Sequence, residues 1–371
     1  PIQINKMEKV QSEAGMQMIE GGGNPFTLKA RLQELMIPLM KQTIEDVLPM
    51  LEGTDLIVCH AGTLAHVQAM AELQGLPFIA YVLAMSGATR EQPGGTIPPA
   101  PGWFPFKGFY NRMSYKMAGN MMWPAFGKPV NGFRKELSLP PHTKESLTAV
   151  VQKAPMLHAI SPHVIPIPKD WESHNHMTGF WFDTDFATWQ PAPDLVAFLK
   201  GGSKPVYIGF GSMSIRDAEA TTRLVLEAIA KSGERAVIAS GWGGLKSEDL
   251  PETVFLLDEA PHGWLFPQMA AVVHHGGAGT MAAGMRAGVP SILVPHFADQ
   301  FFWGQTVQSL GVGPNPIPRK RLTADNLPPA IRQAVRDEYI QKNATALGVK
   351  LRQEDGVGQA VEIIEVAREK M

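Results

Sequence analysis

With 371 residues the chain is long enough for two domains of ordinary size, each burying its own core. A 44% hydrophobic content and a formal charge of -2 exclude a nucleic-acid binder, which would show a strong basic excess or a basic stripe. One cysteine, Cys59, excludes an internal disulfide, and neither a run of roughly eighteen apolar residues nor a basic-then-apolar leader is found, so a cytoplasmic protein is expected, with peripheral membrane contact left open.

The opening stretch, PIQINKMEKVQSEAGMQMIEGGG, reads as a mid-domain segment. Over residues 27–50, Leu28, Leu32, Leu35, Met36, Leu39 and Ile44 recur at helical spacing, and Pro38 kinks or divides that helix. Leu56-Ile57-Val58-Cys59 reads as a buried parallel strand, residues 64–74 as a helix closed by Gly75, and residues 77–82 as the next strand, a βαβ unit. His60, between strand end and helix start, either faces a cleft or caps the turn. Residues 86–141 combine proline and glycine with Trp103, Phe106, Phe109, Met113, Met117, Met122 and further aromatics. Such a segment either walls a cavity for a flat apolar molecule or packs between helices. Asp183-Thr184-Asp185 is discounted as a metal site because it lies just before a proline-broken stretch, and the His174 and His176 pair lacks other ligands at convincing spacing, so no metal site is expected. The proline-broken stretch Trp189-Gln190-Pro191-Ala192-Pro193 is the natural linker, placing a first domain at 1–187, a linker at 188–204 and a second domain at 205–355.

The second domain alternates strands at 205–210, 235–239, 254–257, 271–273 and 291–294 with helical segments, the α/β pattern of a parallel sheet. Its densest stretch is VVHHGGAGTMAAGMRAGVPSILVPHFADQ, residues 272–300. The chain leaves a strand through His275, Gly276, Gly277, Ala278 and Gly279 and enters a helix near Thr280. Glycines permit close backbone approach, and the free N–H groups and dipole of a helix start suit a phosphate or diphosphate. The same turn serves equally well as a tight connection packing a helix on a sheet. Asp299 and Gln300, on the exit loop of the following strand, offer an acceptor and an amide that could hold sugar hydroxyls. Arg319-Lys320-Arg321 reads as a solvated surface, and residues 323–336 as a capped helix.

HHGGAGT, RAGVPSILVP and DQ at this spacing resemble the donor-binding region of nucleotide-sugar glycosyltransferases of the GT-B fold, which pairs two Rossmann-like domains across a cleft. GFGSM at 209–213, SGW at 240–242, PHGWLFPQ at 261–268 and the run through DQFFWG resemble more closely the sterol 3-beta-glucosyltransferase branch. The resemblance implies an inverting, metal-independent enzyme that moves glucose from UDP-glucose to a hydroxyl of a sterol or other apolar acceptor. It needs no cofactor beyond the UDP-sugar co-substrate.

It further implies diphosphate contacts at Ser212, His275, Gly277, Gly279 and Thr280, sugar contacts at Asp299 and Gln300, and uracil contacts at Trp242 or around Pro261 and His262. Acceptor contacts fall on His60, Trp103, Phe106 and Met122. A final helix, 356–371, crosses back to the first domain. In the related plant box the uracil-stacking tryptophan would fall at Glu259 and the ribose-binding acid at Ala283, so nucleoside recognition uses other residues. The family's first strand and its base-bearing loop are not found before residue 27, so no catalytic residue is assigned, and a nucleotide-sugar-binding protein without transfer activity is the alternative. A nicotinamide oxidoreductase is set aside, because no G-x-G-x-x-G follows a first strand with an acid about twenty positions on.

Overall fold

The computed structural model describes residues 42, 45–94, 97, 99–183, 186, 188–210, 218–239, 250–296 and 299–370. The opening helix expected over residues 27–50, and the expected absence of a first strand, fall almost wholly outside them. The described residues form two compact units, one within Pro1–Trp181 and Asp355–Met371 and the other within Phe182–Glu354.

The first unit holds a four-stranded parallel sheet, in the order β1 (Ile57–His60), β2 (Phe78–Val82), β3 (Met156–His158) and β4 (Asn175–Met177). Parallel neighbours require crossovers. The first is α1 (Leu64–Gln74), which ends at Gly75 in the left-handed region, φ 66°, where its N–H meets the Ala71 and Glu72 carbonyls. Within residues 86–141, where no single helix was expected from the sequence, lies one helix of 30 residues, α2 (Lys107–Glu136), which runs through Pro124 and Pro129. Each proline forgoes one backbone donor.

Tertiary contacts hold the far end of α2. Arg134, 1% exposed, donates to both Glu72 carboxylate oxygens at 2.9 and 3.1 Å, to Gln68 Oε1 at 3.1 Å and to the Pro140 carbonyl at 2.6 Å. A buried guanidinium with this many partners pins α2 to α1. Beyond it, α3 (Lys144–Val151) starts in a reciprocal capping box between Thr143 and Ser146. The C-terminal helix α11 (Gly356–Lys370) packs Ala360, Ile363, Ile364 and Ala367 on Ile79 and Leu157 of this sheet.

The second unit holds a five-stranded parallel sheet in the order β7 (Val254–Leu257), β6 (Ala236–Ala239), β5 (Val206–Gly209), β8 (Ala271–His274) and β9 (Ser291–Leu293). Alternate residues feed opposite cores. Ile208, Ile238 and Val273 join one with α5 (Ala218–Ser232) and α9 (Leu327–Arg336). Tyr207, Val237 and Val272 join the other with α4 (Pro193–Lys200) and α6 (His262–Leu265). Burial on both faces is why these strands read as continuous apolar runs.

Two boundaries differ from the sequence expectation. The units divide between Trp181 and Phe182, and residues 188–204, expected as a linker, carry α4, whose Leu195 is buried in the second unit. Pro193 occupies the first turn of that helix, where its missing N–H costs nothing, so it starts a helix instead of breaking one. Arg319 is half-buried and donates to Thr221 Oγ1 at 2.8 Å, while Lys320 and Arg321 are exposed as expected.

Candidate functional site

In this strand order the chain moves outward from β5 to one side and then returns to place β8 on the other. The carboxyl ends of β5 and β8 therefore flank the topological switch point, where open α/β sheets bind ligands. From β8 the chain passes through His275, Gly276 and Gly277 into α7 (Ala278–Ala287). Gly276 has φ 92°, and a Cβ there would lie 3.1 Å from Leu293 Cδ2 and 3.4 Å from Gln300 Cβ. Only glycine permits this turn beside β9 and α8 (Gln300–Ser309). Gly277 is the N-cap of α7 and supplies no side-chain cap, and a Cβ there would lie 2.5 Å from His275 Nε2. The bare residue lets the imidazole lie over a helix start whose first N–H groups have no side-chain acceptor. Gly279 faces open space, and Thr280 stands half-buried beside it.

Histidines crowd this edge. His274 Nδ1 accepts the Gly276 N–H at 3.1 Å, so its proton sits on Nε2, which is buried without a partner. His275 Nδ1 is likewise buried without a partner. His296 pairs Nδ1 with the Val294 carbonyl at 2.9 Å, so Nδ1 carries the hydrogen, and its Nε2 is a buried acceptor without a partner. Burial first, and then the nearby His262, pushes His275 down to about 4; burial does the same to His296. The His262 ring stacks on Phe266 at 4.3 Å and is also pushed down by burial. A neutral imidazole meets an anion's oxygen only through a ring N–H, so His275 beside the helix start is suited to that role, whereas the bare Nε2 of His296 suits a hydroxyl or N–H donor.

These shifts make acid instability an expected outcome. His66, His158, His275 and His296 are all held near 4, chiefly by burial, against an ordinary value of 6.5. The unfolded chain therefore binds more protons between these values, so the stabilisation is complete above about pH 6.5 and is lost as pH falls toward 4. Scanning calorimetry should show the melting temperature falling steadily from pH 7 to pH 5, with proton uptake on unfolding. A flat profile over that range would contradict the burial of these rings.

Asp299 is the N-cap of α8, and its Oδ2 accepts from Trp303 Nε1 at 3.1 Å. Gln300 is buried, and its Oε1 accepts the His296 N–H at 2.8 Å. Gln300 thus ties His296 to the start of α8 and stands beside Gly276 of the glycine turn, while Asp299 is held by Trp303 of its own helix. Pro261 caps α6, accepting the Trp264 and Leu265 N–H groups at 3.0 Å. Of the expected donor contacts, His275, Gly277, Gly279 and Thr280 share one turn with His262 nearby, and Ser212 and Trp242 lie outside the described residues. Sequence reasoning passed over His274 and His296. The signal was present in the doubled histidine and in a histidine directly after the strand-ending Pro295.

In the first unit, His60 serves its turn: Nδ1 accepts the Gly62 N–H at 3.1 Å and its carbonyl accepts the Thr63 hydroxyl. A cavity of about 1010 Å³ lies among Phe109, Met113 and Tyr115 of α2, Thr148 and Val151 of α3, and Met156 at the start of β3. Trp103, Phe106 and Met122 do not line it; all three are exposed. Phe109 and Met113 are four apart and share a helix face, whereas Trp103 and Phe106 precede the helix and Met122 lies far round it. Among the described residues no cluster of His, Cys, Asp and Glu could hold a metal ion.

Residues 223–360 match the family described as Erythromycin biosynthesis protein CIII-like, C-terminal domain. Sterol 3-beta-glucosyltransferase UGT80B1 of Arabidopsis thaliana is 34% identical over 378 residues, covering 94% of this chain and 60% of that protein. A sterol 3-beta-glucosyltransferase of Aspergillus clavatus is 36% identical over 326 residues, covering 84% of this chain and 22% of its own length. The chain thus spans three fifths or less of these curated relatives. Among solved structures, the glycotransferase of kitacinnamycin superposes with a TM-score of 0.65 at 16% identity, over 92% of this chain and 82% of that one. Glycosyltransferase VinC, in complex with DTDP, gives 0.60 at 17% identity, over 100% and 86%.

Proposed function

We propose, for a chain with the GT-B fold and a sequence resembling UDP-glycosyltransferases of the sterol 3-beta-glucosyltransferase branch, that it transfers glucose from UDP-glucose to the hydroxyl of a sterol or similar apolar alcohol, with inversion. The carrying observation is the glycine turn after β8, which sets an uncapped helix start and the spare nitrogen of His275 at the switch point. In this reading the first N–H groups of α7 and His275 take the diphosphate, and the positive helix end stabilises the charge that develops as UDP departs. Asp299 holds sugar hydroxyls through the carboxylate oxygen not given to Trp303, and Gln300 fixes the loop that presents it. Pro261 and His262 are the described residues that would border the nucleoside, with Trp242 as the alternative from the sequence. The acceptor enters the cavity of the first unit, whose size lies at the upper limit of small-molecule sites, roughly 300–1,000 Å³. Cys59 is buried and unpaired, which suits a cytoplasmic setting, and no helix among the described residues is long and apolar enough to cross a membrane. Contact with the bilayer is peripheral in this reading.

Incubation with UDP-glucose and a 3β-hydroxysterol in mixed micelles should release UDP and a steryl glucoside of inverted anomeric configuration. Saturable UDP-glucose binding with no glucoside formed would reduce the protein to a nucleotide-sugar binder. Asp299→Ala should lower kcat/KM for UDP-glucose roughly tenfold to a hundredfold, with UDP affinity changed far less. Equal losses in both would remove Asp299 from the sugar site.

A further inference from the structure

The first unit carries an exposed apolar face that the donor chemistry does not use. Among the described residues, seven of the eighteen exposed large hydrophobic ones fall between positions 103 and 122: Trp103, Phe106, Phe109, Met113, Met117, Met121 and Met122. Trp103 is 80% exposed, and Phe106 and Phe109 are each 68% exposed. Along α2, Phe109, Met113, Met117 and Met121 recur every fourth residue, so they share a stripe spanning roughly 120° of the helix. A contiguous patch of this kind marks an interaction surface.

Charge narrows the partner. Residues 92–135 contain six basic residues and no aspartate or glutamate, in a chain whose acids outnumber its bases by 35 to 33. Lys107, Arg112, Lys116 and Lys128 are exposed. Arg112 and Lys116 flank one side of the stripe and Lys107 the other. Arg112 lies 3.9 Å from Asp170; Lys107, Lys116 and Lys128 have no ion pair among the described residues. A second copy of the chain would set this basic face against itself across a two-fold axis. An anionic bilayer instead offers phosphate and carboxylate to the cations and acyl chains to the aromatic and methionine side chains.

We propose that the Trp103–Phe106 segment and the Phe109–Met121 face of α2 seat the protein on an anionic phospholipid surface. Phe109, Met113, Arg112 and Lys116 also line the 1010 Å³ cavity, so its mouth opens within the seated patch. An acceptor dissolved in the bilayer then enters the cavity without crossing water. The choice of an apolar acceptor rests on the proposed transferase reading; the docking itself does not.

The test is flotation with vesicles of phosphatidylcholine, alone or with about one third phosphatidylserine, alongside UDP calorimetry on the same samples. The parent protein should float with the phosphatidylserine vesicles, and added salt should weaken the association. Phe106→Ser with Met121→Ser, and separately Lys107→Glu with Lys128→Glu, should each weaken partitioning at least tenfold while leaving UDP affinity unchanged. Partitioning of either double variant equal to the parent's, or no flotation of a parent that binds UDP, would overturn the docking surface. A parent that runs as a dimer in size exclusion, with variants that run as monomers, would also overturn it, because a second copy would then cover the face. Flotation without any UDP binding would leave the docking standing and overturn the transferase reading instead.

Discussion

Replacing Trp303 with alanine is expected to cost about 3–5 kcal/mol of stability, the range for emptying a buried aromatic site. Trp303 is fully buried on α8, where its ring meets Phe302 at 5.2 Å and its Nε1 donates to Asp299. The variant leaves a cavity and also frees the Asp299 carboxylate from its orienting bond. UDP-glucose affinity should therefore fall by roughly tenfold or more, beyond any effect of partial unfolding. Trp303→Phe separates the two contributions. It retains most of the packing and loses the N–H donor, so stability should drop by only about 1–2 kcal/mol while sugar recognition is still impaired. Urea denaturation followed by fluorescence, with donor titrations below the transition, measures both. An alanine variant with an unchanged midpoint would mean that α8 does not depend on this side chain.

His275→Ala should act in the opposite manner, sparing the fold and damaging the site. The imidazole packs over the start of α7, but its buried Nδ1 has no hydrogen-bond partner, so its removal releases no partner and leaves no unpaired group behind. If that ring holds a diphosphate oxygen, the loss is a charge-assisted hydrogen bond of about 1.5–3 kcal/mol, or roughly tenfold to a hundredfold in UDP affinity. The urea midpoint should stay at the parent value or rise slightly. His275→Gln, which supplies an amide donor at similar reach, should recover part of the affinity. Unchanged UDP binding in the alanine variant would place the diphosphate elsewhere.

The architecture was legible in the sequence because strands buried on both faces cannot alternate. Ala271-Val272-Val273 and Val206-Tyr207-Ile208 are apolar throughout, and the glycine turns that follow mark their carboxyl ends. Motif resemblance then supplied the GT-B fold. Helix α2 was hidden because Pro124 and Pro129 are local stop signals, whereas the bonds from Arg134 to Glu72 and Gln68 join residues far apart in sequence. Helix α10 (Glu338–Arg352) went unread because a helix had just ended at Arg336. Its start signal was Asp337, whose carboxylate accepts from the Tyr339 and Ile340 N–H groups. The glycine turn from β8 into α7 was legible because backbone geometry is written in glycine. The cavity was not, because which of the aromatic and methionine residues at 103–122 turn inward depends on where α2 begins and what α3 places opposite it.

Hydrogen exchange with and without saturating UDP tests the central claim most directly, that the diphosphate seats on the turn between β8 and α7. Slower amide exchange should be confined to peptides spanning His275 to Met281 and the loop from Pro295 to Gln300, with the parallel sheet of the first unit unaffected. Protection confined to the first unit, or none anywhere at saturating UDP, would contradict the assignment of this turn as the donor site.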